Sequence, residues 1–297
     1  MANLKEVRNR IGSVSSTQQI TKAMKMVAAA KLRKAQDAII QMRPYASKLD
    51  GILKNVSSSL DSSVENPYGT ERDIEKVLIV VVSSDKGLCG AFNTNVFKAA
   101  KASIKEKYQA QFSQGNVTIK TIGKKAFEHF GRLPEFQADD SDYEVYKTIN
   151  FDSVKVVAES VMNSFIVGDF DVVEIVYNEF KNAATQIIRT ELFLPVTEEV
   201  NEELSYTPDA KDYIFEPSKE FIVQDLIPKS LKIQFYKALL ESNASEQGSR
   251  MTAMDKATDN AGELLKDLKL TYNRARQAAI TTEILEIVGG AEALANG

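Results

Sequence analysis

The side chains able to do chemistry are densest in Ser83-Ser84-Asp85-Lys86-Gly87-Leu88-Cys89-Gly90. This turn follows Lys76-Val-Leu-Ile-Val-Val-Val82, a continuous β-branched run typical of a strand buried on both faces. It therefore sits at the carboxyl end of a strand, where open α/β sheets bind ligands. A thiol opening the following helix is favoured as a thiolate, which makes Cys89 a candidate nucleophile. It would need a base, and the only histidine is His129, in Ala-Phe-Glu-His129-Phe. That context reads as an edge or surface histidine. The turn is neither G-x-x-x-x-G-K-[ST] nor G-x-G-x-x-G, so it lacks the two common phosphate cradles. Gly87 and Gly90 are accounted for as turn residues taking positive φ. The acidic run Asp139-Asp140-Ser141-Asp142 could attract calcium, but it lacks the spaced ligands and glycine of an EF-hand loop and reads as a solvated loop. One cysteine and one histidine cannot build a zinc site. The expectation is no catalytic, cofactor-binding or metal residue in this chain.

Composition narrows the class further. The chain has 297 residues, 43% of them hydrophobic and 26% charged, as in ordinary soluble proteins. No apolar run is long enough to span a bilayer, and the start lacks a secretory pattern. A lone cysteine suits a reducing compartment. The net charge of −4 hides an asymmetry: about +8 over residues 1–60, −10 over 61–215 and −2 over 216–297. A basic helix could bind nucleic acid, but no aromatic interleaving or base-reading motif accompanies the charge, so no nucleic-acid partner is expected.

The elements that must carry these residues are of two kinds. Residues 1–60 read as a coiled-coil helix. One core position runs Leu4, Ile11, Gln18, Lys25, Leu32, Ile39, Ala46, Leu53, Leu60, and the other Val7, Val14, Thr21, Ala28, Ala35, Met42, Leu49, Val56. The repeat is apolar at both ends and polar in the middle, where Ile20, Met24 and Val27 place large side chains on another face. Either the seam tolerates polar residues there, or that face serves a second partner. Pro44 interrupts the pattern and costs about 3 kcal/mol or a kink. Residues 75–196 alternate strands and helices, which predicts a Rossmann-like α/β body with a mainly parallel sheet. The predicted strands are 76–82, 117–122, 170–176 and an edge strand 186–194. The predicted helices are 91–109, 124–130 and 151–167. Residues 197–217 read as a linker. Residues 218–290 read as one helix, roughly 105 Å long at about 1.5 Å per residue. Its stretch Ser242-Asn-Ala-Ser-Glu-Gln-Gly-Ser249 is small enough to let another helix approach closely. The fold class expected is thus α/β plus a long antiparallel coiled coil, the terminal helices pairing around the inserted body, with the end of the second helix projecting past its partner. By shape alone this describes a lever or shaft.

Three segments carry a resemblance. Ile11-Gly-Ser-Val14 with Thr17-Gln-Gln-Ile-Thr-Lys-Ala-Met-Lys-Met-Val-Ala-Ala-Ala-Lys31 is similar to the N-terminal signature of F-type ATP synthase gamma subunits. Ser84-Asp-Lys-Gly-Leu-Cys-Gly90 resembles their central motif. Ala244-Ser-Glu-Gln, Arg250 to Asn260 and Tyr272 to Val288 resemble their C-terminal signature. The resemblance implies a central rotating stalk, not itself an enzyme, that couples transmembrane proton flow to ATP synthesis or hydrolysis. Its implied partners are the alpha and beta subunits of a catalytic hexamer, an epsilon subunit and a c-subunit ring. ATP, ADP and Mg would be bound by partner subunits. It implies beta-subunit contacts at Met24, Lys25, Arg250, Arg276 and Gln277, and c-ring foot contacts at Tyr213, Phe215 and Glu216, with Ile214 in the same segment. It also implies peripheral attachment, through the complex, at the cytoplasmic face of a bacterial inner membrane. The competing expectations are a non-rotary helical-hairpin scaffold with an α/β head, and a small α/β enzyme using the 83–90 turn.

Overall fold

A computed structural model describes residues 4–57, 67–70, 72–196 and 219–295. The chain divides into two compact units, Met1–Ala29 with Arg250–Gly297, and Ala30–Ser249.

In the first unit, helix α1 (Leu4–Ser57) meets helix α6 (Lys219–Ala295). The hydroxyls of Thr21 and Thr258 lie 2.8 Å apart, Gln18 Nε2 donates to the Thr258 carbonyl at 3.4 Å, and Lys25 pairs with Asp255. Partner numbers fall on α6 as they rise on α1, so the pairing is antiparallel. The polar middle of the seam is thereby explained: its residues find polar partners in the facing helix instead of breaking the contact. Both ends of the Lys25–Asp255 pair are about half exposed, so its contribution is small. A β-carbon at Gly262 would stand 2.9 Å from Gln18 Nε2. On α6, Met254, Ala261 and Leu265 are buried with the spacing of the same seam.

The second unit is built on a five-stranded sheet in the order β3-β2-β1-β4-β5. The strands are β1 (Val77–Val82), β2 (Val117–Ile122), β3 (Gln137–Asp139), β4 (Val172–Phe180) and β5 (Gln186–Leu194). All neighbours are parallel except β4 and β5, which form an antiparallel hairpin at one edge. Every residue of β1 is buried, as its apolar run requires at the centre of a parallel sheet. Its side chains alternate between two cores. Leu78, Val80 and Val82 face helix α5 (Phe151–Val167) and the Ile227, Leu231, Phe235, Ala238 and Leu239 stripe of α6. Val77, Ile79 and Val81 face helices α2 (Phe92–Lys107) and α4 (Lys124–Phe130). Asn150 caps α5 by accepting from Ser153 N–H, and Gly168 closes it in the left-handed region.

Several expectations need correction. The helix expected over 91–109 ends at Lys107, and α3 (Gln109–Ser113) follows after Tyr108. The third strand begins at Val172 and runs on to Phe180. β3 and the 3₁₀ turn Tyr143–Lys147 have too few residues to show a period. The acidic run is not a purely solvated loop either. The buried Lys120 ammonium sits between Asp139 and Asp142, 2.7 Å from each carboxylate, and donates to Ser141 Oγ at 3.0 Å. Burial opposes that charge, yet hydrogen bonds to the two carboxylates outweigh it and raise the lysine pKa. In the 83–90 turn, Leu88 rather than Gly87 takes positive φ, beside Gly90.

His129 belongs to an aromatic cluster. It stacks on Phe97 at 4.5 Å and meets Phe130 edge-on at 5.0 Å. Its Nε2 is buried without a partner, and burial, followed by the Lys101 ammonium, lowers its pKa. Because the folded pKa lies below the unfolded value, its neutral form is the one the fold accepts. The associated stability is complete above about pH 6.5 and is lost as pH falls below it. We therefore expect the His129 ring resonances of the full chain to titrate with a midpoint clearly below 6.5. A midpoint at or above that value would contradict this packing. The turn itself makes a second prediction. Gly123 has φ 92°, and a β-carbon there would lie 2.1 Å from the Ser83 carbonyl oxygen. Gly123→Ala should cost about 3 kcal/mol or more and lower the melting temperature by about 10 °C. A loss under about 2 °C, read by circular dichroism, would rule out this geometry.

Candidate functional site

The 83–90 turn is held entirely by its own chain. Ser83 N–H donates to the Ile122 carbonyl at 2.8 Å, prolonging the β1–β2 pairing by one residue. The first N–H groups of α4 are taken up one by one: Lys124 donates to Asp85 Oδ1, Lys125 to the Ser84 carbonyl, and Ala126 to Ser83 Oγ. These are the donors that a helix start would otherwise offer to a phosphate. Asn93 ties the other side, accepting from Ser84 N–H and donating to Ser84 Oγ at 2.8 Å and to Cys89 Sγ at 3.4 Å. The Cys89 thiol is buried among these groups, 3.6 Å from Ser84 Oγ. His129 is engaged in the Phe97–Phe130 aromatic cluster, and none of the hydrogen bonds at the thiol involves it. The Cys89–His129 pairing considered from sequence does not form.

A second feature removes the crevice where such a sheet would receive a ligand. The chain runs outward from β1 through β2 to β3 and then crosses back through α5 to β4 on the other side of β1, so the switch point lies at the carboxyl ends of β1 and β4. The α6 segment 241–249 occupies that end. Ser249 Oγ donates to the Cys89 carbonyl at 2.7 Å. Glu241, buried, accepts from Phe180 N–H at 3.1 Å and lies 3.6 Å from the Arg43 guanidinium of α1. Burial raises the Glu241 pKa, against the pull of that N–H and of Arg43. A β-carbon at Gly248 would come within 3.1 Å of Ala183 Cα in the β4–β5 hairpin. The small residues of Ser242–Ser249 therefore admit the ends of the sheet around α6, where the sequence reading had expected only a second helix. The size pattern was legible in the sequence; what would approach it was not.

The residues singled out for partner contact fall into three groups. Lys25 is engaged with Asp255 on the seam, and Met24 is half-buried beside exposed Ile20 and Val27, 58% and 57% accessible. These three apolar side chains share one helix face and none lies on the seam. Arg250 is buried, with 9% of its surface accessible. Arg276 and Gln277 are exposed, as is every described side chain from there to Glu292. Ile280, Ile284, Leu285, Ile287 and Val288 make this an apolar as well as an exposed helix end. Sequence reasoning passed over these five, although four of them show in the 280–288 run as an i, i+4, i+7, i+8 pattern. Tyr213, Ile214, Phe215 and Glu216 lie outside the described residues. Among the described residues no group of His, Cys, Asp or Glu could hold a metal ion, and no helix is long and apolar enough to cross a membrane.

Comparison with known proteins adds independent information. A family model described as ATP synthase matches residues 3–294. The ATP synthase gamma chain of Cytophaga hutchinsonii is 59% identical over 297 residues, covering 100% of both chains. That of Christiangramia forsetii is 55% identical over 294 residues, covering 99% of each. Among solved structures, a chain of the Tetrahymena thermophila mitochondrial ATP synthase central stalk and c-ring is similar with a TM-score of 0.57 and 25% identity, over 80% of this chain and 99% of that one. A chain of the Euglena gracilis mitochondrial ATP synthase has the same fold, with a TM-score of 0.65 and 22% identity over 98% of this chain and 94% of that one. Agreement over the full length, with the sheet, the two long helices and the three sequence signatures in place, shows that this chain belongs to the ATP synthase gamma chain family.

Proposed function

We propose that this chain is the central rotating stalk that couples transmembrane proton flow to ATP synthesis or hydrolysis. The observation that carries the reading is the α6 end from Arg276 onward, exposed on all sides yet bearing five large apolar residues. A contiguous apolar surface of this kind marks an interaction site. In the proposal it stands within a hexamer of alpha and beta subunits, whose beta subunits hold the catalytic residues, ATP or ADP, and Mg. An epsilon subunit and a ring of c subunits are the further partners. The assembly lies at the cytoplasmic face of a bacterial inner membrane, and this chain is attached to it only through the complex.

The coupling is one of differential binding. A stalk can drive a beta subunit between nucleotide states only if its contacts differ in free energy between them. Swinging a two-state equilibrium from about 1:99 to 99:1 takes roughly 5.5 kcal/mol of difference. Fully burying one exposed aliphatic side chain contributes about 1.5–3 kcal/mol. Several side chains must therefore engage together, and the Ile20, Met24 and Val27 face of α1 can provide them. In this reading Met24 and Lys25 meet a beta-subunit lever, and Arg276 and Gln277 reach a beta-subunit loop. Arg250, with its side chain buried, holds the coupling segment in place. Tyr213, Phe215 and Glu216 form the foot on the c-ring.

Native mass spectrometry of the gently extracted complex tests the reading directly. One copy of this chain with three copies each of two nucleotide-binding subunits is expected, whereas a self-dimer would favour a helical-hairpin scaffold. Met24→Lys should reduce proton pumping per ATP hydrolysed in membrane vesicles while hydrolysis continues. It forces an unpaired ammonium against an apolar contact at a cost of about 2 kcal/mol or more. Unchanged pumping would remove Met24 from the coupling contact. Leu285→Asp should leave the melting temperature of the full chain within about 2 °C, as expected of an exposed substitution, yet weaken retention of the alpha and beta subunits. Equal retention would show that the exposed α6 end is not the contact.

A further inference from the structure

Glu241 is a charge that the fold holds at a cost. Its side chain on α6 is 2% exposed, and burial raises its pKa by more than the Phe180 N–H and Arg43 lower it. Above that pKa the ionised form therefore lowers stability, and a neutral side chain of the same shape would not. Such a charge is explained by what it connects, and this one connects three elements. One carboxylate oxygen, Oε2, accepts from the N–H of Phe180, the last residue of β4, at 3.1 Å. The other, Oε1, stands 3.6 Å from the Arg43 guanidinium of α1. The remaining charges that act on it do not replace Arg43. Lys237, one turn back on α6, draws on it less than Arg43 does, and Glu179 of β4, which repels it, is held by Arg189 of β5 at 2.6 Å. The place on α1 is particular too. Arg43 directly precedes Pro44, the one proline in α1, which has no N–H to give the Ile40 carbonyl. The helix runs on to Ser57 through this missing rung. Leu32, Ala35, Ile39 and Leu49 bury one face of α1 nearby, but apolar contact is non-directional. The Arg43–Glu241 pair thus ties α1 beside its weakest turn, and the same carboxylate ties α6 to the sheet.

We propose that Arg43 and Glu241 form the joint through which the α/β body drives both long helices, so that a turning force on the sheet reaches α1 and α6 together. The proposal rests on the stalk reading. Arg43 and Glu241 are positioning residues in it: their effect is on how the helices follow the sheet. With the joint loosened, the sheet turns slightly without carrying α1, and part of each step is lost between ion flow and hydrolysis. The attraction between the two charges falls off with their separation, so the pair resists that slip, and it does so more strongly beside a buried carboxylate than it would in water.

The test separates stability from coupling. Glu241→Gln, Arg43→Gln and the double variant are compared as full chains by melting temperature, and as assembled complexes in membrane vesicles by protons pumped per ATP hydrolysed. Glu241→Gln keeps an acceptor for the Phe180 N–H and should leave the melting temperature unchanged or higher. Arg43→Gln strips the buried carboxylate of its guanidinium and should lower the melting temperature by about 2–4 °C. The double variant should regain that loss. Pumping per ATP should nevertheless fall about two-fold in all three, the scale on which a pair with one exposed partner acts, while hydrolysis continues. Normal pumping in Glu241→Gln or in the double variant overturns the joint and leaves the stalk reading standing. A melting temperature lowered by Glu241→Gln also overturns it, because the carboxylate would then be structural support alone. Failure of the unsubstituted chain to support pumping would remove the stalk reading, and the joint with it.

Discussion

The second unit depends on a steric constraint, the burial of one helical segment on every side. Between Ala238 and Gly248 the described side chains of α6 are almost all buried. A helix in that position cannot carry large residues all round, because the sheet ends, the 3₁₀ turn and α1 all need to come close to its backbone. Glycine, alanine and serine at 244, 245, 248 and 249 meet that need, and Gly248 does so most tightly, against Ala183. The polar atoms that small residues bring then need partners. Glu241 finds the Phe180 amide and Arg43, and Ser249 finds the Cys89 carbonyl. The segment thus acts as a plug in the place where a sheet of this topology ordinarily receives a ligand.

That arrangement goes with a turn whose polar groups are engaged within the chain. The helix-start donors of α4 are spent on Ser83, Ser84 and Asp85, and the thiol of Cys89 is enclosed by Ser84 and Asn93. Two further buried charges follow the same logic. Glu174 on the interior strand β4 accepts from Ser103, Lys107 and Tyr108, and Lys120 is enclosed by Asp139, Asp142 and Ser141. Each is paired within hydrogen-bond distance, as a charge removed from water must be. These few buried charges are thereby turned to the support of the body itself.

The first unit solves a different problem. Its seam mixes apolar layers with a polar one at Gln18, Thr21 and Lys25, met by Thr258 and Asp255. A polar layer adds little stability, but it disfavours registers that would bury those groups against apolar residues. The same region leaves Ile20, Met24 and Val27 off the seam, and the α6 end leaves its apolar residues uncovered. Both leave apolar surface uncovered in this chain, and both are consistent with a subunit whose work is done through contacts.

Much of this was readable from residues alone, because the signals are periodic or local. The heptad of α1 determined which face packs, since a repeat close to the helical period aligns its side chains along one stripe. The β-branched run at Val77–Val82 determined a strand buried on both faces, and the three signatures pointed to the family. What the sequence could not determine are the meetings between distant segments. That α6 fills the crevice of the sheet, that Lys120 neutralises Asp139 and Asp142, and that His129 stacks on Phe97 instead of serving Cys89 are each decided by which element is brought alongside. Residue types and spacing specify a face and its size. Only the tertiary structure specifies what that face touches, because contacts far apart in sequence leave no period along it.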